Sequence, residues 1–162
     1  MADHESASGP SRGVDRSANR VIAHLMLCDH AQVASGKLFI NGGGITRFHG
    51  PGLPQGTSIA LLLLVPWELT NAPITLDLQL MTQDGQSVLD REGAGIRIQA
   101  HTEVGRPAGI EPGIPIDLPL TFSVGGLRLP AGRYMWQLSV NGVTHEAWQL
   151  SFSVINDSTP AA

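Results

Sequence analysis

The chain has 162 residues, ten lysines and arginines against fourteen aspartates and glutamates, and a formal net charge of −4. That length fits one domain able to bury a core without metal or disulfide staples. The acidic balance, with Lys37 the single lysine, argues against a broad phosphate-binding surface and so against nucleic acid as a partner.

Residues 1–19 (MADHESASGPSRGVDRSAN) contain no Leu, Ile, Phe, Trp or Tyr and predict a disordered tail. They hold no apolar signal-peptide core, so a cytoplasmic protein is the default expectation. The folded domain is expected over 20–155, with a frayed end over 156–162. The longest apolar run, Ile59 to Trp67, has 9 residues, short of the roughly 20 that a membrane helix needs, so no membrane insertion is expected. Only 15% of residues are charged, against roughly 25% in typical soluble domains. That leaves uncharged surface for contact with a partner.

From Arg20 onward, short apolar stretches alternate with Gly, Pro, Asn and Asp, and no segment keeps a capped 3.6-residue period. Residues 20–28 (RVIAHLMLC) read as the first strand and 37–41 (KLFIN) as the second, resuming at 45–48 after Gly42-Gly43-Gly44. Residues 57–65 (TSIALLLLV) are apolar on both faces and predict a central strand. In 74–81, Ile74, Leu76, Leu78 and Leu80 alternate with Thr75, Asp77 and Gln79, the pattern of a strand with one wet face. Segments 87–91 and 95–100 read as shorter strands, followed by a loop over 101–115. Pro119 places 118–124 at a sheet edge, or starts that strand at Leu120. Residues 133–140 and 143–154 close the domain as a hairpin through Asn141-Gly142, whose turn needs φ > 0 at both positions. A two-residue turn pairs Val140 with Val143, which gives Trp148, Leu150, Phe152 and Val154 the wrong parity. One inserted residue, a β-bulge between His145 and Ala147, repairs it. The expected fold is all-β: an antiparallel two-sheet immunoglobulin-like β-sandwich of about nine strands.

The opening run from Ala23 to Val33 leads into Gly36 to Thr46, and the chain closes on Leu129-Pro130-Ala131-Gly132-Arg133-Tyr134-Met135-Trp136 and the Val140-Asn141-Gly142 hairpin. Together these resemble a family of small bacterial β-sandwich proteins with no assigned activity, over roughly residues 21–154. The resemblance implies the fold and supplies no catalytic residue. The Pro-x-Gly-x-Tyr element is common in immunoglobulin-like sandwiches, where a Tyr after a turn packs near the end of the penultimate strand.

The single cysteine, Cys28, excludes an intramolecular disulfide and a cysteine zinc cluster. With Asp29 and His30 it permits a Cys–His nucleophile or part of a metal site, but the other histidines are not placed by spacing, and a buried structural cysteine is the favoured reading. The three glycines lack a phosphate-loop pattern and read as a bulge, bend or close backbone approach. The carboxylates are dispersed. No metal, cofactor or catalytic residue is therefore expected, and the chain reads as a non-enzyme. Phe39, Phe122, Trp136 and Phe152 read as core. Trp67, beside Pro66 at the end of the central strand, covers the core's end or anchors a partner. Arg106, Ile110 and Ile114, in a loop stiffened by prolines, form a second contact candidate. The leading function is a protein-interaction module, self-associating or an accessory subunit of a larger bacterial assembly, using an unprotected sheet edge and these loops. The alternative is a small-molecule or carbohydrate-binding sandwich with His49, Trp67, His101 and Arg106 at one end.

Overall fold

The computed structural model describes residues 18–156. Most of the tail expected over 1–19 and most of the frayed end expected over 156–162 lie outside the described residues.

A 3-10 turn, Ala18–Arg20, leads into β1 (Ile22–Ala34) and β2 (Lys37–Gly43). The short β3 (Arg47–His49) precedes the central β4 (Ser58–Val65), and a second 3-10 turn, Trp67–Leu69, leads to β5 (Ile74–Thr82). Then come β6 (Arg97–Thr102), β7 (Ile116–Ser123), β8 (Gly132–Val140) and β9 (Val143–Ile155). The nine strands form two sheets, in the order β2-β1-β4-β7 and β3-β9-β8-β5-β6. Pairing is antiparallel throughout except for β3, which runs parallel to β9. Among the described residues no helix is long and apolar enough to cross a membrane.

Alternation decides which side chains meet between the sheets. β5 buries Ile74, Leu76, Leu78 and Leu80 and leaves the residues between them half exposed. β8 does the same with Tyr134, Trp136, Leu138 and Val140. Opposite them stand Ile59, Leu61, Leu63 and Val65 of β4, and all twelve belong to one core cluster. Buried aliphatic and aromatic groups of this size stabilise by roughly 1.5–3 kcal/mol each. β4 is flanked by β1 and β7 and is also largely covered on its second face, as its unbroken apolar run requires. Pro119 stands opposite Leu62 in β7, an edge strand, where a missing N–H breaks no inner ladder.

Asn141 and Gly142 take φ of 50° and 77° and pair Val140 with Val143, the type I′ geometry expected of Asn-Gly. The bulge falls at the expected place but is larger. Gln137 faces Gln149 and Ser139 faces Thr144, so the four residues 145–148 stand opposite Leu138 alone. Three extra residues flip parity as one would, which is how Trp148, Phe152 and Val154 reach the core. The Gln137 side-chain amide closes the bulge, donating to the carbonyls of Leu138, His145 and Trp148 at 3.0, 3.3 and 3.5 Å.

Other expectations are corrected. The strand expected over 87–91 reduces to isolated bridges, Met81 with Ser87 and Leu89 with Gly95. β1 continues six residues beyond Cys28, because Ser35 and Gly36, with φ of 51° and 68°, turn the chain back into β2. Phe39, expected in the core, lies on this hairpin and is 49% exposed.

Candidate functional site

The first sheet carries an unusual feature on its outer face. β1 pairs with β4 only up to Cys28 opposite Ser58; from there to Ala34 it pairs with β2 alone. At the changeover Leu27 and Cys28 are both fully buried, so the alternation breaks and the strand bends. The hairpin of residues 29–41 then folds back over the sheet's outer face. Ala31 and Leu38 pack on Cys28 and Ala60, and the Gly36 tip reaches the groove lined by Asp117 and Pro119 of β7. Gly42 makes the bend possible: its φ is +60°, and a Cβ there would collide with the Asp29 carboxylate.

The hairpin covers only part of the face. β1 and β4 set Ile22 against Leu64, His24 against Leu62 and Met26 against Ala60. Ala60 is 1% exposed beneath the hairpin, whereas Ile22 and Met26 remain 50% and 39% exposed. With Val33 and Ile40 on the same side of the hairpin, these are four of the eight large hydrophobic side chains exposed among the described residues; Phe39, opposite Gln32, points the other way. On the side away from β4, the backbone of residues 22–26 pairs with no strand among those described.

The end of the molecule above this face holds two of the sequence candidates in contact. Pro66 ends β4 in an extended conformation, and Trp67–Leu69 turns the chain, closed by Leu69 N–H on the Pro66 carbonyl at 2.9 Å. Buried Leu69 anchors the turn and leaves Trp67 half-buried. The Arg106 guanidinium lies 4.2 Å from the Trp67 ring centroid. Its Nε donates to Thr70 Oγ1 at 2.6 Å and an Nη to the Trp67 carbonyl at 3.2 Å. A cation over an indole face contributes about 0.5–1 kcal/mol at an exposed site. Together with the Asn71 N–H on the Val104 carbonyl at 2.8 Å, these contacts tie the loop between β6 and β7 to this end. Arg20, just before β1, adds a 2.7 Å ion pair to Glu68; a backbone hydrogen bond, and after it this pair, hold that carboxyl below its ordinary value.

Ile110 is half-buried in the same loop and lines a shallow groove of about 500 Å³ with Val104, Pro107, Pro119 and the Gly36 tip. Ile114 is 50% exposed beyond it. The remaining candidates do not join them. His101 stands on the outer face of the second sheet, its Nδ1 3.4 Å from Thr75 Oγ1. His49 pairs with Ile155 at the opposite end and lines a groove with Pro51 and Arg128. The arrangement that gathers His49, Trp67, His101 and Arg106 at one end is therefore not formed.

Cys28 has no access to solvent: its Sγ donates to the Ser58 carbonyl at 3.4 Å, and burial pushes the thiol above its ordinary value. A nucleophilic thiol needs the opposite, exposure and a lowered pKa. His30 is exposed on the far side of the bend. Among the described residues no group of three or more His, Cys, Asp or Glu is placed to hold a metal ion.

Sequence reasoning named Trp67 and Arg106 as separate contact candidates, and together at one end in the ligand-binding alternative, but missed the face formed by Ile22, Met26, Val33 and Ile40. The signal was present in Ser35-Gly36, a turn dipeptide between Val33-Ala34 and Lys37-Leu38.

Residues 23–154 match a family of unknown function, DUF6941, and the chain belongs to that family. No curated protein matches it.

Proposed function

We propose that the chain is a non-catalytic protein-interaction module on an immunoglobulin-like β-sandwich, and that its partner is a second copy of itself. The observation that carries this reading is the half-covered outer face of the first sheet, where Ile22, Met26, Val33 and Ile40 stay exposed beside a β1 edge that pairs with no strand among the described residues. An apolar face next to a free edge is the geometry of strand addition. Its centre (exposed Ile22, His24 and Met26 beside half-buried Leu62 and Leu64) bears no carboxylate, lysine or arginine. That suits a two-fold interface, which sets any central charge against its own copy.

The parallel β3–β9 pair and the bond from Tyr134 Oη to the Pro130 carbonyl at 2.7 Å support the immunoglobulin-like reading. The second feature resembles the tyrosine corner of such domains, in which a tyrosine hydroxyl bonds back to the backbone at the start of the penultimate strand.

Sedimentation equilibrium at micromolar concentration tests self-association. A mass of twice 17.2 kDa is expected, falling to 17.2 kDa in Met26→Lys with unchanged circular dichroism. A monomer throughout contradicts self-association. The accessory-subunit reading then takes its place, with the Trp67–Arg106 end as the contact.

A further inference from the structure

The outer face of the second sheet holds a cluster that the interaction reading does not use. β9 is paired with β3 on one side and β8 on the other, and Ser153 is opposite Arg47 in the first and Arg133 in the second. Cross-strand partners share a face, so both arginines and the serine stand in one row on the outer side. Strands lie about 4.8 Å apart, which puts the two arginine Cα atoms roughly 10 Å apart across Ser153. Two guanidinium groups on long side chains converge easily over that span. They border a groove of about 370 Å³ whose next rung is Met135 and Ser151.

Two like charges in one row oppose each other unless something neutralises them. On the same face Arg97 is given the Asp77 carboxylate. Arg47 and Arg133 form no ion pair among the described residues, and the group between them is a hydroxyl with one long bond, 3.5 Å, to the Thr46 carbonyl. Guanidinium forks match the geometry of carboxylate and phosphate oxygens. A net charge of −4 weighs against binding a polyanion, but a two-arginine site holds one anionic group and needs no basic surface around it.

We propose that Arg47, Ser153 and Arg133 form an anion site for a small organic molecule bearing a phosphate or carboxylate group, with its apolar part resting on Met135. The groove volume is within the range of small-ligand sites, roughly 300–1,000 Å³. The arginines fork onto the oxyanion from both sides and the Ser153 hydroxyl turns from Thr46 to donate to it.

The test is a titration of the full chain, followed by amide correlation spectra, with phenyl phosphate, phenylacetate and benzyl alcohol. Saturable shifts confined to residues 46–47, 133–135 and 151–153 are expected with an anionic probe and not with the alcohol. Response to the phosphate alone, or to the carboxylate alone, identifies which group the site takes. Arg47→Gln and Arg133→Gln each weaken binding at least about tenfold, the loss expected for a charge-assisted hydrogen bond. Arg97→Gln, which removes the paired arginine of the same face, leaves it unchanged. The proposal is overturned by no saturable shift up to about 10 mM probe, by an equal response to benzyl alcohol, or by unchanged affinity in both Arg→Gln variants.

Discussion

The two sheets present different outer faces, although each is built from the same alternation. On the second sheet, Gln149 donates to Gln137 at 2.8 Å, Gln79 donates to Ser87 at 2.7 Å, and Asp77 accepts from Arg97 and Gln99. These polar side chains find partners on the face itself, with Arg47 and Arg133 the exceptions. On the first sheet the corresponding rows are Ile22–Leu64, His24–Leu62 and Met26–Ala60, and the chain spends its own β1–β2 hairpin to cover them. The cover stops short of Ile22 and Met26. One strand pairing thus accounts for both features: the bend at Cys28 that brings the hairpin back also leaves the start of β1 without an outer neighbour among the described residues.

The largest effect comes from prying the hairpin off. Ala60 is sealed under Ala31 and Leu38, and Ala60→Arg has no room there. Overpacking of this kind costs about 1–3 kcal/mol. Local opening then rises roughly ten- to hundredfold, and labelling of Cys28 by a maleimide accelerates by that factor while the sandwich stays folded. Unchanged labelling would mean the hairpin does not guard the thiol. Arg106→Ala acts at the end of the molecule. Loss of the ring contact and two hydrogen bonds to Trp67 and Thr70 speeds amide exchange at Val104 and Asn71 by about tenfold. Uniform exchange across both ends would break the assignment of that loop to Trp67.

On the polar face, Gln137→Ala removes the amide that closes the bulge and lowers stability by about 1 kcal/mol in urea unfolding. A bulge held by backbone geometry alone would show no loss. The smallest effect is in pH dependence. Burial raises the Cys28 thiol, so the folded chain keeps a proton that the unfolded chain releases. Stability from this group is complete below the ordinary thiol range and falls as pH rises above about 8.5. Cys28→Ala flattens that slope, and Tyr134, raised by the same cause, adds a further fall above about 10. An identical slope in both proteins would contradict the burial of the thiol.

What was legible in the sequence divides along the same line. β5, β8 and the Asn141-Gly142 hairpin were plain because one face of each is fully buried, and alternation reports burial. The bulge was legible by parity, which fixes an odd insertion at 145–148 but not its size. The hairpin cover escaped for the converse reason. Leu27 and Cys28 are buried on opposite faces, so alternation is lost where the strand bends, and Phe39 looks like core when it is surface. At the candidate site, Trp67 and Arg106 stood out as an aromatic at a strand end and a cation among prolines, and the ligand-binding alternative set both at one end without a contact between them. Their contact spans 39 residues and rests on the turn at Asn71, with φ of 56°, which brings β5 back beside Val104. Nothing local encodes that distance. His49 was misgrouped because β3 runs parallel to β9, which sends it to the other end.

The central claim is that the first sheet's exposed face is an interface and the second sheet's is not. The most direct measurement is solvent paramagnetic relaxation of side-chain methyl groups with a neutral gadolinium probe, over a dilution series. Ile22, Met26 and Ile40 are expected to be protected at high concentration and to become accessible on dilution, while Met135 on the polar face is accessible throughout. Equal accessibility of Ile22, Met26 and Ile40 at every concentration would contradict it.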